Sequence, residues 1–411
     1  YSLTTGKVGV CMATSGPGAM NLLTTISDAF MDSIPMVAIT GQVFQSLIGK
    51  SAFQETDVFG MTLPVVKHSY LVLNAEDLPR IIKEAFLIAK SGRPGPVVID
   101  IPKDVQQKVF VPDFDAKPDL PGVKPVSAAS DADISKIISM ISASKKPVIY
   151  AGGGIISSSS SKKLDEFSKL FGIPVATTLM GIGCVDPMEK KNLYWFGMHG
   201  TYVGNRAVLE SDLLIALGTR FDDRITGVVS KFAPNAKIIH LDIDISEQNK
   251  NVKVDLSVCS EVGTALDKLL AASKKLPKKP DFSEWVGQIS QWKKVHPYPF
   301  GRHNRKNITS QEAIAELYKV SKGDVIVTTG VGQHQMWTPQ NFIFSKPRQF
   351  ISSLGAGTMG FGLPAAIGVK VANPKAKVVD IDGDGSFQMN IQELEWVKRE
   401  NLPITMMVMN N

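Results

Sequence analysis

The chain has 411 residues, 44% of them apolar and 20% charged, which predicts two or three α/β domains with substantial cores. Its formal charge of +6 arises from lysines that are scattered or sit in linkers, with no basic stripe interleaved with aromatics; this argues against nucleic acid and leaves acidic small molecules and phosphates as partners. No apolar run reaches the ~18 residues a membrane span needs, no signal or transit peptide is visible, and the isolated Cys11, Cys184 and Cys259 predict a reducing compartment without zinc or disulfides.

In the first predicted domain, residues 1–108, strand-like runs at 8–13, 35–40 and 96–101 alternate with helical patterns at 19–31 and 77–91. That alternation predicts a parallel sheet covered by helices. Tyr1 is not an initiator methionine and the chain stops on a strand end, so a cut at both ends is expected. Residues 111–121, rich in proline, read as an extended linker. A second α/β domain is predicted over 127–273, with strands at 147–151, 174–178, 213–217 and 238–243. Gly152-Gly153-Gly154 closes its first strand, and the serines at 157–161 are expected to open the next helix with N-capping hydroxyls. Lysines at 274–279 lead into another connection. The third domain, 300–411, has predicted strands at 325–329, 349–353, 377–384 and 403–409, with a helix at 391–400. No sequence repeat links it to the first.

The sharpest chemical signal lies at the C-terminal end. Gly383-Asp384-Gly385 closes one strand and Asn410-Asn411 the next, so a right-handed βαβ crossover brings both ends to one sheet edge. There the Asp384 carboxylate and the Asn411 amide are expected to share one Mg²⁺, whose other positions go to water and phosphate oxygens. A Gly-Asp-Gly turn beside a polar strand end is the plainer reading. Thr14-Ser15-Gly16-Pro17-Gly18 suits close approach of an anion, or a simple strand-to-helix turn. Gly355-Ala356-Gly357-Thr358-Met359-Gly360 fits the dinucleotide pattern, but the acids that follow are Asp380, Asp382 and Asp384, the last inside the Mg²⁺ loop. Arg220-Phe221-Asp222-Asp223-Arg224 suits a pyrophosphate or carboxylate, or else forms a surface salt-bridge cluster. Lys103 follows the strand at 96–101 and His334 the strand at 325–329; each alone also reads as a solvated or structural residue.

Together these segments resemble the thiamine-diphosphate enzymes, and among them the acetohydroxyacid synthase (acetolactate synthase) catalytic subunits. The matching stretches are 13–21, 41–58, 92–107, 217–227, 330–337, 355–368 and 378–411, in that order. The Gly-Asp-Gly to Asn-Asn element marks the superfamily. Ala52-Phe53-Gln54-Glu55, the arginine cluster at 220–224 and Gly332-Gln333-His334-Gln335-Met336-Trp337 narrow it to the synthases. The resemblance implies three α/β domains that serve, in turn, the pyrimidine of thiamine diphosphate, FAD and the diphosphate. It implies decarboxylative condensation of pyruvate with pyruvate or 2-ketobutyrate, the first common step toward valine, leucine and isoleucine. It further implies a homodimer or homotetramer with or without a regulatory small subunit, in a bacterial cytoplasm or a eukaryotic chloroplast or mitochondrion.

Carried onto this sequence, the resemblance makes Asp384 and Asn411 the Mg²⁺ ligands and sets Gln333 and His334 beside the diphosphate, with Gly332, Gly383, Gly385 and Ser386 around them. Met359 props the cofactor in its bent shape and Gly357 offers a carbonyl to the aminopyrimidine, while Phe53, Gln54 and Lys103 line the substrate channel. Around FAD it places Arg93, Gly152, Gly153, Thr178, Leu179, Met180, Gly197, Met198, His199, Gly218, Arg220, Asp222, Arg224, Ile225 and Asp242. FAD in this family is structural rather than redox-active, and Arg224 also reaches toward the channel. The family's activating glutamate falls upstream of Tyr1, and a third metal contact, a specificity tryptophan and a closing segment fall beyond Asn411. These residues by themselves are therefore expected to be inactive. Phe44 stands where relatives carry proline or a small residue, a difference in channel shape. Alternatives are a flavin-free catabolic acetolactate synthase, a pyruvate oxidase, an NAD-dependent oxidoreductase built on residues 355–360, and a degenerate non-catalytic subunit.

Overall fold

The computed structural model describes residues 1–124, 126–298 and 307–410. The first sheet is built around Pro96-Val-Val-Ile-Asp-Ile-Pro102, a run with too few polar positions to face water on either side. Strands β1 (Gly9–Ala13), β2 (Met36–Gln42), β3 (His68–Leu71) and β4 (Pro96–Pro102) lie parallel in the order β1-β2-β4-β3. Successive residues of β4 feed opposite cores. Val97 and Ile99 pack with Ile81, Ala85 and Ile88 of the helix Leu78–Lys90, whose i, i+4, i+7 spacing presents one apolar face. Val98 packs with Ala19 and Ile26 of the helix Pro17–Met31. These elements, Tyr1–Pro125 with Ser353–Phe361, form one compact unit.

The second unit, Val126–Ser352 with Gly362–Asn411, contains two sheets. Strands β5 (Pro147–Ala151), β6 (Val175–Thr177), β7 (Asn192–Trp195), β8 (Leu213–Leu217), β9 (Lys237–Asp242) and β10 (Leu256–Cys259) are parallel in the order β10-β9-β8-β5-β6-β7. Ile149 and Ala151 belong to the core on one face, Val148 and Tyr150 to the core on the other. The remaining sheet has β11 (Ile326–Thr329), β12 (Phe350–Ile351), β13 (Val378–Gly383) and β14 (Ile404–Met409), parallel in the order β12-β11-β13-β14. Both sheets reverse direction of growth at their centre, between β8 and β5 and between β11 and β13. Such switch points open a crevice beyond the C-terminal strand ends. Three parallel sheets flanked by helices agree with the fold class expected from the sequence. Among the described residues no helix is long and apolar enough to cross a membrane.

Several local expectations need correction. The strand expected at 349–353 shortens to Phe350–Ile351, and beyond it the Ser352 hydroxyl bonds to Thr329 Oγ1 and Gln335 Nε2. The helix expected at 391–400 is a 3₁₀ turn, Ile391–Glu393, followed by Leu394–Arg399. Ser160 occupies the N-cap of Ser161–Phe171 but makes no side-chain cap; its hydroxyl donates to Ser158 O, and the glycines before it form their own short helix, Gly153–Ser157. A helix at Ser283–Val295 lies in the stretch read as a connection and buries Trp285 and Ile289 one turn apart. The strands with no sequence signal, β3, β7 and β10, are all edge strands. An edge needs a hydrophobic run less than a centre does, so short mixed segments such as His68-Ser-Tyr-Leu71 suffice there.

Candidate cofactor and metal site

At the third sheet, β13 pairs with β14 so that Gly383 lies opposite Met409, and both strands end at one edge. Asp384 follows directly and is exposed, opening the short helix Asp384–Met389 where a plain turn was the alternative. Asn411, its expected partner, lies outside the described residues. No three His, Cys, Asp or Glu side chains among the described residues form a metal set. One free-standing carboxylate at a strand end suits a hard cation that takes most of its oxygens from water and phosphate, as Mg²⁺ does.

The neighbouring strand end is stripped of side chains. A Cβ on Gly330 would stand 1.8 Å from Asp382 Oδ1, and one on Gly332 or Gly383 would come within 2.9 Å of the His334 ring. His334 is buried between these backbones, with Nε2 3.4 Å from Asp382 Oδ1, whereas Gln333 is exposed at the start of the helix Gln333–Asn341. Gly385 is exposed and Ser386 buried beside them. A bare backbone edge and a helix start at a switch point fit a diphosphate.

Residues 355–360 belong to the first unit, where Gly357 and Gly360 adopt φ of 68° and 82° and Met359 is half-exposed. The Leu354 and Gly355 amides already donate to Asp32, and that of Thr358 to Ser353 Oγ. Those amides are unavailable to a pyrophosphate, which counts against the nicotinamide reading. In the same unit Lys103 opens a short helix after β4, and its Nζ lies 5.3 Å from the centre of the Phe44 ring. Phe53 is 89% exposed, and Gln54, at φ 59°, packs against Gly16 where a Cβ would meet Gln54 O at 2.8 Å. The Thr14–Gly18 segment is thus the strand-to-helix turn on which Gln54 rests. Arg93, grouped with the FAD residues by sequence, lies in this unit, donating to Ser33 Oγ at 2.8 Å and reaching over the Phe30 ring.

The other residues of that group gather at the middle sheet. Gly152 and Gly218 end the switch-point strands β5 and β8 and touch: a Cβ on Gly152 would stand 2.1 Å from Gly218 O. Gly153 backs onto Met180, in the turn Leu179–Gly181 that Thr178 caps. A second knot joins Gly197, Met198, Arg224 and Ile225: Met198 N–H donates to Arg224 O at 2.8 Å, and a Cβ on Gly197 would meet that oxygen at 2.7 Å. Asp222 caps the turn that carries Arg224 by accepting its N–H at 3.0 Å. His199 is exposed and its carbonyl accepts from Gln340; Asp242 ends β9 and accepts Asp244 N–H at 2.9 Å. Arg220 is half-buried and forms no ion pair among the described residues, while Arg224 lies 3.7 Å from Asp223 and directs Nη1 at the Met198 sulfur at 3.9 Å. This is no salt-bridge cluster. An unpaired guanidinium beside a glycine cradle fits a nucleotide phosphate.

Sequence reading missed Asp28, Asp32 and the buried Asp382. The first two carried a faint signal, acids at i and i+4 at the end of a helix with no other charged residue.

Three family models match: "Thiamine pyrophosphate enzyme, N-terminal TPP binding domain" over 1–61, "central domain" over 134–269 and "C-terminal TPP binding domain" over 330–411. Acetolactate synthase 1, chloroplastic, of Oryza sativa subsp. japonica is 49% identical over 416 residues, covering all of this chain and 64% of the rice protein. The Nicotiana tabacum acetolactate synthase 1 and the Arabidopsis thaliana acetolactate synthase, both chloroplastic, are each 49% identical over 415 residues, all of this chain and 62% of theirs. The chain thus spans less than two thirds of the length of these relatives. Strand-end glycines, an exposed terminal carboxylate and three consecutive domain matches agree: the chain belongs to the thiamine pyrophosphate enzymes, in the acetolactate synthase family.

Proposed function

We propose that the protein containing this chain is an acetolactate synthase, condensing pyruvate with a second 2-keto acid as CO₂ leaves. The observation that carries this is the parallel register of β13 and β14, which brings Asp384 and the strand end after Met409 to one edge beside a bare glycine backbone. Asp384 and Asn411 would hold Mg²⁺, and Gly332, Gln333, Gly383, Gly385 and Ser386 would receive the diphosphate, with His334 supporting them from below. When bound, thiamine diphosphate supplies the carbon nucleophile and electron sink for decarboxylation.

The protein residues do the rest. The Gly357 carbonyl would orient the aminopyrimidine of bound thiamine diphosphate, and Met359 would support the cofactor, which gains from proximity when it is held in one place. The Lys103 ammonium attracts the keto-acid carboxylate, and Phe53 and Gln54 narrow the approach and limit water. The glycines at the ends of β5 and β8, with Arg220, would hold FAD as a structural group. The division into pyrimidine-binding, FAD-associated and diphosphate-binding domains, at 1–108, 127–273 and 300–411, belongs to the same reading. So do a homodimer or homotetramer, a regulatory small subunit and, for a eukaryotic source, residence in the chloroplast.

The test is omission. The full-length protein is assayed for acetolactate from pyruvate with thiamine diphosphate, Mg²⁺ or FAD left out in turn. Loss of product in each case is expected; product formed without thiamine diphosphate overturns the reading.

A further inference from the structure

The helix Pro17–Met31 runs apolar against the first sheet, yet two acids one turn apart close it, Asp28 and its C-cap Asp32, each only 2% exposed. A buried carboxylate persists where donors replace its lost hydration. Here one loop supplies donors to both acids. Ser353 Oγ donates to Asp28 Oδ1, and Thr358 Oγ1 sits 3.5 Å from the same oxygen. Asp32 takes the Leu354 N–H on Oδ2 at 2.9 Å and the Gly355 N–H on Oδ1 at 2.7 Å. Thr358 N–H returns to Ser353 Oγ at 2.8 Å and closes the loop on itself. Gly355 has no room for a side chain, since a Cβ would come within 2.8 Å of both Asp32 Oδ1 and Met31 Cβ.

We propose that Asp28 and Asp32 are positioning residues that fix the loop carrying Gly357 and Met359, so that both reach the bent cofactor in one geometry. This rests on the function proposed above. A loop with two left-handed glycines has much backbone freedom to lose, and charge-assisted hydrogen bonds from two rigid carboxylates remove it in advance. The two acids differ in what they need. Asp28 accepts from hydroxyls through a single oxygen, a role that the oxygen of an amide can fill. Asp32 uses both oxygens on two backbone N–H groups, so an asparagine there would set a donor against a donor.

The test uses the full-length protein with thiamine diphosphate and Mg²⁺ but no keto acid. Three quantities are read: the cofactor Kd, the deuterium exchange rate of the bound cofactor's C2 proton, and amide exchange over 353–361. Asp32→Asn should slow C2 exchange at least tenfold and speed amide exchange at Leu354 and Gly355, with Kd rising less than fivefold because the diphosphate contacts lie elsewhere. Asp28→Ala should match it, and Asp28→Asn should stay within twofold of the unaltered protein. Gly355→Ala moves the loop without removing a charge and should also slow C2 exchange, which keeps the test decisive if Asp32→Asn does not fold. Slow C2 exchange that merely parallels a lost Kd and a lower Tm, or Asp32→Asn and Gly355→Ala within twofold, overturns the positioning role. If the unaltered protein binds no thiamine diphosphate, the proposed function itself falls.

Discussion

The first and third sheets each bury an aspartate at the centre, opposite a threonine in register, and satisfy it differently. In the first, Thr40 Oγ1 donates to Asp100 Oδ1 at 2.7 Å and Gln42 Nε2 to Oδ2 at 3.0 Å, so both oxygens are closed. In the third, Thr328 Oγ1 donates to Asp380 Oδ1 at 2.9 Å, but Oδ2 has no partner among the described residues. Two residues beyond each threonine stand Gln42 and Gly330; two beyond each aspartate stand Pro102 and Asp382. The third sheet thus has a glycine where the first has its closing amide, and a second acid, Asp382, occupies the space. Burial pushes the Asp100 carboxyl up to about 6. Burial and then the neighbouring Asp382 push Asp380 up to about 8. The first sheet is a closed polar arrangement suited to support. The third keeps costly, partly satisfied polarity two residues from the candidate metal ligand, as functional edges do.

The comparison can be broken most forcefully at its glycines. Gly330→Ala should destabilise the protein by ~3 kcal/mol or more through overpacking against Asp382 and Ser386, whereas Gly41→Ala, whose nearest neighbour is Ser15 N at 3.4 Å, should stay within ~1 kcal/mol. Equal urea midpoints for the two variants would break it. Next comes pH. Asp380 is protonated in the fold at neutral pH and ionised when unfolded, so its contribution to stability is lost as pH rises toward about 8. Stability should therefore fall by up to ~1.4 kcal/mol per pH unit from this group, and Asp380→Asn should flatten thermal unfolding between about pH 6 and 8. Gln42→Leu removes the donor from Asp100 Oδ2 and should cost ~1–3 kcal/mol, more at pH 8 than at pH 5, by thermal unfolding. Smallest, Thr40→Val and Thr328→Val should each cost ~1 kcal/mol, with the larger loss at Thr328, whose hydroxyl is the only donor to the Asp380 side chain among the described residues. Chemical denaturation of the pair ranks them.

Much of the fold was legible locally. The strands at 147–151 and 213–217 fall where the apolar runs put them, because a strand buried on both faces must be apolar at successive positions. The Gly-Asp-Gly and glycine-triplet strand ends were legible for a similar reason, since close backbone approach admits no other residue. The edge strands were not, and neither was the threonine–aspartate match between the first and third sheets, which two shared residues in different surroundings do not announce.

Sequence by itself determined the central strands, the helices that cover them and the family, each a matter of local periodicity or of ordered short motifs. Tertiary structure alone decided the strand order that creates the two switch points, and the contacts of Asp28 and Asp32 with a loop more than 300 residues away. It also decided that Gly330 makes room for Asp382. A hydrophobic pattern states which face a residue buries; only the assembled sheets state which distant polar group it meets there.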